Sequence, residues 1–427
     1  MDPEWVIAPD ERAYLCDLAA RQAEYAALPV MAERRRQWQD LNDGKPNVRP
    51  PFILEATNFM FELLPGRRYR CESKAGRAIE KELIRNVRPH EVYQDDRVIP
   101  ATFDIAWCMD IDEFGPDVKI EVDHVVDSEG MEVGYGFNLP IKDLPQDLRR
   151  LRPASVTVDK ERTFAWQAFV GDLLGDLLPV VIRVGNHPSM TLTQRVVHLM
   201  GMEAFFLAIY DEPDAVHALM AYLRDNALGI MRQMEELDLL SLNNDHQEAW
   251  ESSYNFTSLL PATDYEGGRV RQKDRWNATN LQEATGLNPA MAAEFLFPYV
   301  REIAGPVGLL YYGCCEAVND SWDNVRTLPH LRKVSISKWT DEAFMGDALR
   351  GTPIVYSRKP DPNFLSVDER LDEDGWAAHI RTTLEAARGC SAEILVRDVY
   401  TLHHDLDNAR RGAAIALEQI DRHWRPS

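Results

Sequence analysis

The second half of this chain alternates short apolar runs with segments of helical spacing, and this alternation restricts the fold more than any other feature. Strands that alternate with helices favour a parallel sheet. About eight strands in a chain longer than about 250 residues predict an α/β fold, a decorated (β/α)8 TIM barrel, rather than an open doubly wound sheet. No GxGxxG or Walker loop follows a strand candidate. The strand candidates are residues 52–54, 98–107, 178–184, 239–242, 309–312, 334–337, 353–357 and 393–398.

Two regions lie outside this alternation. Residues 1–50 have helical spacing and predict an N-terminal helical arm, which Pro50 and Pro51 end. Residues 51–427 predict the decorated barrel, with an insertion at about 110–165 where polar and apolar residues alternate as in strands. We expect this insertion to form a small sheet that acts as a lid or as a dimer element, so a homodimer is one expectation.

Charge and cysteine content predict the environment of the protein. The 427 residues carry a formal net charge of −22, and an acidic surface disfavours binding to the phosphate backbone of nucleic acids. The six cysteines are too sparse for a disulfide framework, which predicts a reducing cytoplasm. The acidic N-terminus lacks the apolar core of a signal peptide. No apolar run of about 18 residues occurs, so no membrane span is expected.

The stretch from Gly308 to Glu316 joins a predicted strand to residues that can do chemistry. An apolar run ends at Gly313, and Cys314, Cys315 and Glu316 follow directly. In barrels and open α/β sheets, active sites lie where the chain leaves the carboxyl end of a strand. Thiols and a carboxylate at that point predict a zinc site or a nucleophile.

The residues that follow the other predicted strands meet this stretch if all strands line one barrel. Several are residue types that bind metals. Lys338, Arg358 and Lys359 form a basic sector suited to an anionic group. The residues expected at the mouth are Glu55, Asn58, His187, Asn243, Asn244, Asp245, His246, Cys314, Cys315, Glu316, Lys338, Arg358, Lys359, Asp398 and Tyr400.

These residues also have structural alternatives. Neighbours on an extended chain point in opposite directions, so only one of Cys314 and Cys315 faces the pocket unless the chain turns at Gly313. Glu316 is either a functional carboxylate or the cap of the next helix. The basic residues are either anion binders or partners in salt bridges, and residues 243–245 are either ligand contacts or turn residues.

Four segments resemble the uroporphyrinogen decarboxylase-like superfamily, in its branch close to the cobalamin-dependent methyltransferases. The segments are 288–299, 308–316, 331–338 and 356–360, and the Gly-Cys-Cys-Glu element in the second of them is the most specific. The resemblance implies a TIM barrel. In the methyltransferases it further implies a zinc ion, held by a His-x-Cys pair at one strand end and a Cys near the last strand.

The chain departs from the pattern of these relatives. The His-x-Cys position is similar to Tyr312-Gly-Cys314 or to Gly313-Cys-Cys315, so the His is missing, and Asp398 stands near the position of the last Cys. A set of Cys, Cys or Glu, and Asp is still compatible with zinc. The Arg-rich motif of the porphyrinogen decarboxylases is replaced by residues 55–58, Glu-Ala-Thr-Asn, which argues against haem-pathway decarboxylation. No Asp-x-His-x-x-Gly cobalamin loop occurs, so any corrinoid is expected on a separate protein.

The resemblance thus implies a methyltransferase that moves a methyl group from a small O-, S- or N-methyl compound to a corrinoid or to tetrahydrofolate. Zinc would polarise the leaving heteroatom. The alternative is a metal-free decarboxylase or lyase, in which Lys and Arg neutralise a carboxylate and Asp245 or Glu316 transfers a proton. The predicted metal ligands are Cys315, Cys314, Asp398 and His246; the catalytic residues are Glu316, Asp245 and Lys338; and the substrate-binding residues are Asn58, Asn243, Asn244, Arg358 and Lys359.

Overall fold

The structure is a computed structural model that describes residues 5–126, 132–185, 190–250 and 252–424. His187, one of the residues predicted at the mouth, lies outside these ranges. The strands are β1 (Phe52–Leu54), β2 (Phe103–Ala106), β3 (Met109–Asp112), β4 (Val122–Val126), β5 (Glu132–Phe137), β6 (Ser155–Val158), β7 (Val180–Arg183), β8 (Glu248–Trp250), β9 (Ser253–Tyr254), β10 (Trp276–Thr279), β11 (Leu309–Tyr312), β12 (Leu331–Ile336), β13 (Val355–Arg358) and β14 (Ser391–Val396).

The helices surround the strands in chain order. They are α1 (Pro9–Ala26), α2 (Pro29–Asn42), α3 (Met60–Leu63), α4 (Lys74–Val92), α5 (Leu144–Asp147), α6 (Lys160–Leu174), α7 (Leu192–Met200), α8 (Met202–Asp211), α9 (Pro213–Glu236), α10 (Pro289–Phe295), α11 (Phe297–Ala304), α12 (Trp322–Val325), α13 (Glu342–Leu349), α14 (Asn363–Ser366), α15 (Glu373–Ala386) and α16 (Leu406–His423).

A six-stranded parallel sheet forms the centre of the fold. Its strand order is β1-β14-β13-β12-β11-β10, and every neighbouring pair is parallel. Helices separate consecutive strands, as the alternating sequence pattern predicts for a parallel sheet. All six strands therefore end at the same edge of the sheet, where the stretch after β11 also lies.

The predicted barrel is not closed by hydrogen bonds within the described residues. Strands β2 and β7 pair in a separate two-stranded parallel sheet, and β1 and β10 are the outer strands of the six-stranded sheet. At β1, Leu54 N–H donates to Asp95 Oδ2 over 3.1 Å, and Leu54 C=O accepts from Tyr93 Oη (2.7 Å) and Arg97 Nη2 (2.9 Å). Side chains thus satisfy backbone groups that a further strand would otherwise pair.

A side chain also replaces strand pairing at the other edge. The predicted strand at 239–242 forms no ladder in the described structure. Instead, Asn243 accepts from Trp276 N–H (2.9 Å) and donates to Trp276 C=O (3.1 Å). Strand β10, which begins at Trp276, is not among the strand candidates from the sequence, because its four residues lack the continuous apolar run typical of a buried parallel strand.

The two faces of the six-stranded sheet differ in polarity. One face packs apolar residues such as Tyr312, Val334 and Ile336 against helices. The other face is polar and buried. There Lys333 Nζ lies 3.0 Å from Glu393 Oε2, and both side chains are 0% exposed. A buried ion pair of this kind is retained only when further hydrogen bonds satisfy it, and Ser253 bonds to both groups.

The remaining segments flank this sheet. Helices α1 and α2 form the region before β1. Residues 109–158 hold two antiparallel pairs, β3 with β6 and β4 with β5. In the described part of the chain, no helix has both the length and the apolar character that a bilayer crossing requires.

Candidate functional site

The thiol pair lies at a sharp turn directly after β11. Gly313 has a φ of +97°, which favours glycine over residues with a side chain. This turn brings both sulfur atoms to the same side, so that Cys314 Sγ and Cys315 Sγ are 3.5 Å apart. Cys314 is buried and Cys315 is exposed. Both thiols therefore face one cavity, which extended backbone would not permit.

The two thiols have opposite electrostatic environments. The hydrogen bond from Cys314 lowers the pKa of the Cys315 thiol, and the positive charge of Lys359 contributes in the same direction. The same contact raises the pKa of Cys314, as does its burial. The pair thus favours a thiolate on Cys315 next to a protonated Cys314. A thiolate, rather than a thiol, is the nucleophilic form of cysteine.

A cavity of about 310 Å³ opens in front of this pair, and we call it the thiol cavity. Three cations line it. Lys338 pairs with Asp361 (3.2 Å), and Lys359 Nζ donates to Tyr311 Oη and to Ser335 Oγ, each over 2.5 Å. The described residues that line it are Cys314, Cys315, Ser337, Lys338, Trp339, Lys359, Pro360, Pro362, Asn363, Ser366, Arg397, Asp398 and Tyr400.

Arg397 is the third cation, and the sequence reasoning missed it. Its Nη1 lies 3.8 Å from Cys314 Sγ, and its Nη2 lies 3.4 Å from Asp398 Oδ1. Arg397 follows β14 directly, one residue before the predicted Asp398, and this position at a strand end could have identified it as a site residue. The Cys314 sulfur thus lies between the Arg397 guanidinium and the Cys315 sulfur.

A second and larger cavity of about 670 Å³ touches Cys314 from another side, and we call it the large cavity. Cys314 and Arg397 line both cavities. The large cavity is built from segments that are far apart in the sequence. Its described lining includes Glu55, Tyr69, Lys81, Glu82, Arg85, Arg97, Glu248, Trp250, Ser252, Tyr254 and Gln282. Of these, only Glu55 belongs to the predicted mouth.

Glu316 lines neither cavity. Its carboxylate accepts hydrogen bonds from Cys314 N–H (2.8 Å) and Leu281 N–H (3.0 Å), and the residue is 7% exposed. Burial raises the pKa of this carboxyl, against the effect of the backbone donors. In this arrangement Glu316 holds the turn that carries the thiols.

Arg358 and Lys359 lie on opposite faces of the sheet, because neighbours on a strand alternate. Lys359 reaches the thiol cavity. Arg358 points to the helices, where it bonds to Glu342 Oε1 (2.5 Å) and to Ser337 C=O (2.7 Å), and it is 2% exposed. The predicted basic sector thus divides, with Lys338 and Lys359 at the cavity and Arg358 behind the sheet.

Asn243, Asn244 and Asn58 lie outside the linings of both cavities. Asn243 bonds to Trp276 as described above. Asn244 Nδ2 donates to Leu260 C=O over 2.7 Å. Asn58 is half-buried in the turn before α3. The first two side chains hold backbone segments together, which is the structural alternative that the sequence left open for them.

Asp245 and His246 belong to a different polar cluster. Asp245 pairs with Arg183 (2.7 Å), and His246 Nε2 lies 2.7 Å from Asp104 Oδ2. Arg183 and Asp104 come from the separate sheet of β2 and β7. This cluster lines neither the thiol cavity nor the large cavity.

Only part of the predicted zinc ligand set comes together among the described residues. Cys314, Cys315 and Asp398 line one cavity, but His246 is engaged with Asp104. Within the described ranges, no group of three or more His, Cys, Asp or Glu side chains is placed to hold a metal ion. Tetrahedral zinc sites use three or four such ligands.

No protein-family model matches this chain, and no curated protein matches it. Among solved structures, the chain is similar to a methyltransferase from Methanosarcina mazei. The identity is 11%, the match covers 92% of this chain and 99% of that chain, and the TM-score is 0.49. Similarity at this level does not support an assignment of activity.

Proposed function

We propose that this protein is a methyltransferase that takes a methyl group from a small O-, S- or N-methyl compound and passes it to a carrier, either a corrinoid on a separate protein or tetrahydrofolate. The observation that carries the proposal is the pair of thiols 3.5 Å apart in the thiol cavity, of which Cys314 also lines the large cavity. We also propose that the two parallel sheets belong to one TIM barrel, as the resemblance of residues 308–316 implies.

The first step is a nucleophilic substitution. The Cys315 thiolate attacks the methyl carbon of the donor, the S–C bond forms, and the bond between methyl carbon and heteroatom breaks. The heteroatom leaves with the bonding electron pair. Where it leaves as an anion, the Lys338 ammonium in the thiol cavity supplies the proton.

The second step returns the thiolate. A carrier, when bound, supplies the nucleophile that accepts the methyl group. The S–C bond of S-methyl Cys315 then breaks, and the electron pair remains on sulfur. The groups that stabilise the thiolate, the Cys314 thiol and the Lys359 ammonium, also make it a better leaving group. The cations of the thiol cavity suit an anionic group on the carrier or on the demethylated product.

The reactive sulfur of Cys315 lies in the thiol cavity, 3.5 Å from the Cys314 sulfur, so a reactant in that cavity meets it directly. Cys314 and Arg397 form the wall that the thiol cavity shares with the large cavity. Holding a reactant beside the Cys315 sulfur makes transfer effectively intramolecular.

The test is methyl transfer to the protein and then to a carrier. The purified chain is incubated with isotopically labelled methyl donors, and intact mass and peptide mass locate the label. We expect one added methyl group on the thiol pair, its loss when cob(I)alamin or tetrahydrofolate is added, and no label in Cys315→Ser. Cys108→Ser is the matched control, because Cys108 is also exposed but lines neither cavity. Equal labelling of wild type and Cys315→Ser would overturn the proposal.

The decarboxylase or lyase alternative draws on the same cations. Lys338, Lys359 and Arg397 can neutralise a carboxylate in the thiol cavity. Its predicted proton-transfer residues, Asp245 and Glu316, do not line that cavity, which favours the methyltransferase. Release of carbon dioxide from small aromatic acids, unchanged in Cys315→Ser, would support the alternative instead.

A further inference from the structure

We infer that the thiol pair is a site of reversible oxidation: a hydroperoxide oxidises Cys315, and Cys314 captures the product as a disulfide between the two neighbours. The oxidation itself rests on the geometry of the pair. Its consequence, that the disulfide switches off methyl transfer, rests on the proposed function, because transfer needs the free Cys315 thiolate.

The backbone around the pair is held on both sides of the peptide group of Cys314. Cys314 N–H donates to Glu316 Oε2 over 2.8 Å, and Cys314 C=O accepts from Ser335 Oγ over 2.6 Å. These contacts fix the turn that places both sulfur atoms on one side of the chain, 3.5 Å apart. A disulfide bond is about 2.05 Å long, so the sulfurs need to approach each other by only about 1.5 Å to form one.

The two thiols differ in exposure, and this difference assigns the order of the steps. Cys315 is exposed at the thiol cavity, whose volume of about 310 Å³ admits a small hydroperoxide, whereas Cys314 is buried. The hydrogen bond from Cys314 lowers the pKa of Cys315, and the thiolate is the form of cysteine that reacts with peroxides. Cys315 is thus the thiol that is oxidised first, and Cys314 is the resolving thiol.

The first step converts Cys315 to a sulfenic acid. Its thiolate attacks the hydroxyl oxygen of the hydroperoxide, the S–O bond forms, the O–O bond breaks, and the oxygen anion that leaves takes up a proton. In the second step Cys314 gives up its proton, and its sulfur attacks the Cys315 sulfur. The S–S bond forms, the S–O bond breaks, and the leaving hydroxide takes up a proton to become water. The dithiol loses two electrons in total, and hydrogen peroxide, as the oxidant, is reduced to two molecules of water.

Oxidation of Cys315 also prepares Cys314 for the second step. In the reduced pair, the hydrogen bond to Cys315, burial and the charge of the Cys315 thiolate all raise the pKa of Cys314. A sulfenic acid is neutral, so the charge of the thiolate disappears once Cys315 is oxidised. The positive charge of Lys359, which lowers the pKa of Cys314, remains. The buried thiol therefore becomes a better nucleophile only after its neighbour has reacted.

A disulfide between neighbours is easily reduced. The Cα atoms of successive residues are about 3.8 Å apart, which is closer than the range of about 4.4–6.8 Å that is usual in disulfides. The resulting strain makes the bond more reducible, and strained or exposed disulfides are the labile and regulatory ones. Without a resolving thiol, a sulfenic acid is oxidised further to a sulfinic acid, which is generally irreversible. Cys314 thus converts a permanent loss of the nucleophile into a reversible one.

The experiment treats the purified, reduced chain with hydrogen peroxide and maps the product. Cys314 and Cys315 share the tryptic peptide that ends at Arg326, and this peptide contains no other cysteine. We expect the peptide to lose the mass of two hydrogen atoms and to regain it with dithiothreitol. In Cys314→Ser, Cys315 should instead accumulate as a sulfenic acid that dimedone traps.

Cys108 provides the matched control, because it is exposed but lines neither cavity. In wild type we expect Cys315 to react with hydrogen peroxide at least about tenfold faster than Cys108 at neutral pH, since the thiolate is the reactive form. Cys108→Ser should form the disulfide between Cys314 and Cys315 as wild type does. Equal reaction rates of Cys315 and Cys108 would overturn the inference.

The outcomes separate this inference from the proposed function. Disulfide formation, with methyl transfer that peroxide abolishes and dithiothreitol restores, supports both. Disulfide formation in a protein that transfers no methyl group when reduced supports the oxidation site and overturns the proposed function. Methyl transfer by a protein whose pair gives only a sulfinic acid, or does not react with hydrogen peroxide, overturns the inference and leaves the methyltransferase proposal standing. Equal amounts of trapped sulfenic acid in wild type and Cys314→Ser would also overturn the inference.

Discussion

At the scale of single residues, the reactivity of Cys315 depends on its neighbour. Cys314 Sγ lies 3.5 Å from Cys315 Sγ and lowers the pKa of that thiol by hydrogen bonding. Such a contact requires both side chains on one side of the backbone. The reactive thiol is therefore a property of the pair.

We predict that iodoacetamide alkylates Cys315 at a lower pH than an ordinary exposed cysteine, because its thiolate forms at lower pH. In Cys314→Ala the donor is lost, so the pH profile of alkylation should move upward. Cys314→Ser keeps a hydroxyl donor and should recover part of the shift. Peptide mass spectrometry at a series of pH values measures the rates.

Cys108 is the internal control for this experiment, since it is exposed and lines neither cavity. Its alkylation profile should be the same in all three proteins. Identical Cys315 profiles in wild type and Cys314→Ala would show that the hydrogen bond does not set the reactivity.

At the scale of elements, the exit from β11 decides the geometry of the site. Gly313 has a φ of +97°, and a Cβ atom there would lie 3.0 Å from Ser335 Cβ. Ser335 on β12 also donates to Cys314 C=O over 2.6 Å. The turn is thus fixed both by its backbone conformation and by the neighbouring strand.

We predict that Gly313→Ala lowers the free energy of unfolding by about 1–3 kcal/mol, through backbone strain and the contact with Ser335. It should also slow alkylation of Cys315, because the turn positions the thiols. Urea unfolding and labelling rates measure the two effects. Gly351→Ala is the matched control: its φ is +72° but its Cβ would meet nothing within 4 Å. Gly351→Ala should lower the free energy of unfolding by about 1–2 kcal/mol but leave the alkylation rate of Cys315 unchanged. Slower alkylation of Cys315 in both variants would contradict the prediction.

At the scale of the whole molecule, the N-terminal helices are tied to the loop that follows β9. Asp43, at the end of α2, accepts hydrogen bonds from Thr257 Oγ1 (2.6 Å) and from Ser258 N–H (2.9 Å) and Oγ (2.7 Å). Asn42 Nδ2 donates to Tyr254 C=O over 2.9 Å. These contacts join residues more than 200 positions apart and hold the hairpin that lines the large cavity.

Asp43 makes this connection sensitive to acid. Burial raises the pKa of its carboxyl, but the hydrogen bonds from Thr257 and Ser258 outweigh burial, and the pKa is lowered. A carboxyl whose pKa is lowered in the folded state stabilises the protein at pH values above the pKa of the unfolded state, about 3.9. That stabilisation is lost as the pH falls through the pKa of the folded state.

We predict that Asp43→Asn lowers the free energy of unfolding by about 1–2 kcal/mol at neutral pH. The difference from wild type should shrink as pH falls below about 4, since both side chains are then neutral. Urea unfolding at several pH values measures it. Asp323→Asn, whose exposed side chain pairs with Arg326, should change stability by less than about 0.5 kcal/mol. A pH-independent difference for Asp43→Asn would show that its charge has no role.

The local sequence pattern was sufficient to predict much of the six-stranded sheet. The runs at 52–54, 309–312 and 393–398 lie at or near β1, β11 and β14, because a buried parallel strand needs a continuous apolar stretch. The thiol pair was expected after a strand end, and it lies there. The prediction at 239–242 failed because Asn243 pairs with Trp276 through its side chain, and strand propensity does not register such a contact. Strand β10 was missed because Asn277 and Thr279 interrupt its apolar residues.

What the sequence by itself determined is much of the alternation of strands and helices and the position of Cys314 and Cys315 at a strand end. Only the tertiary structure decided that both thiols face one cavity, that Glu316 holds their turn, and that Arg358 points away. It also decided that Glu55, Glu248 and Trp250 meet in a second cavity beside the thiols. The physical reason is that periodicity is a local property of the chain, whereas the partner of a side chain depends on which distant segments fold against it.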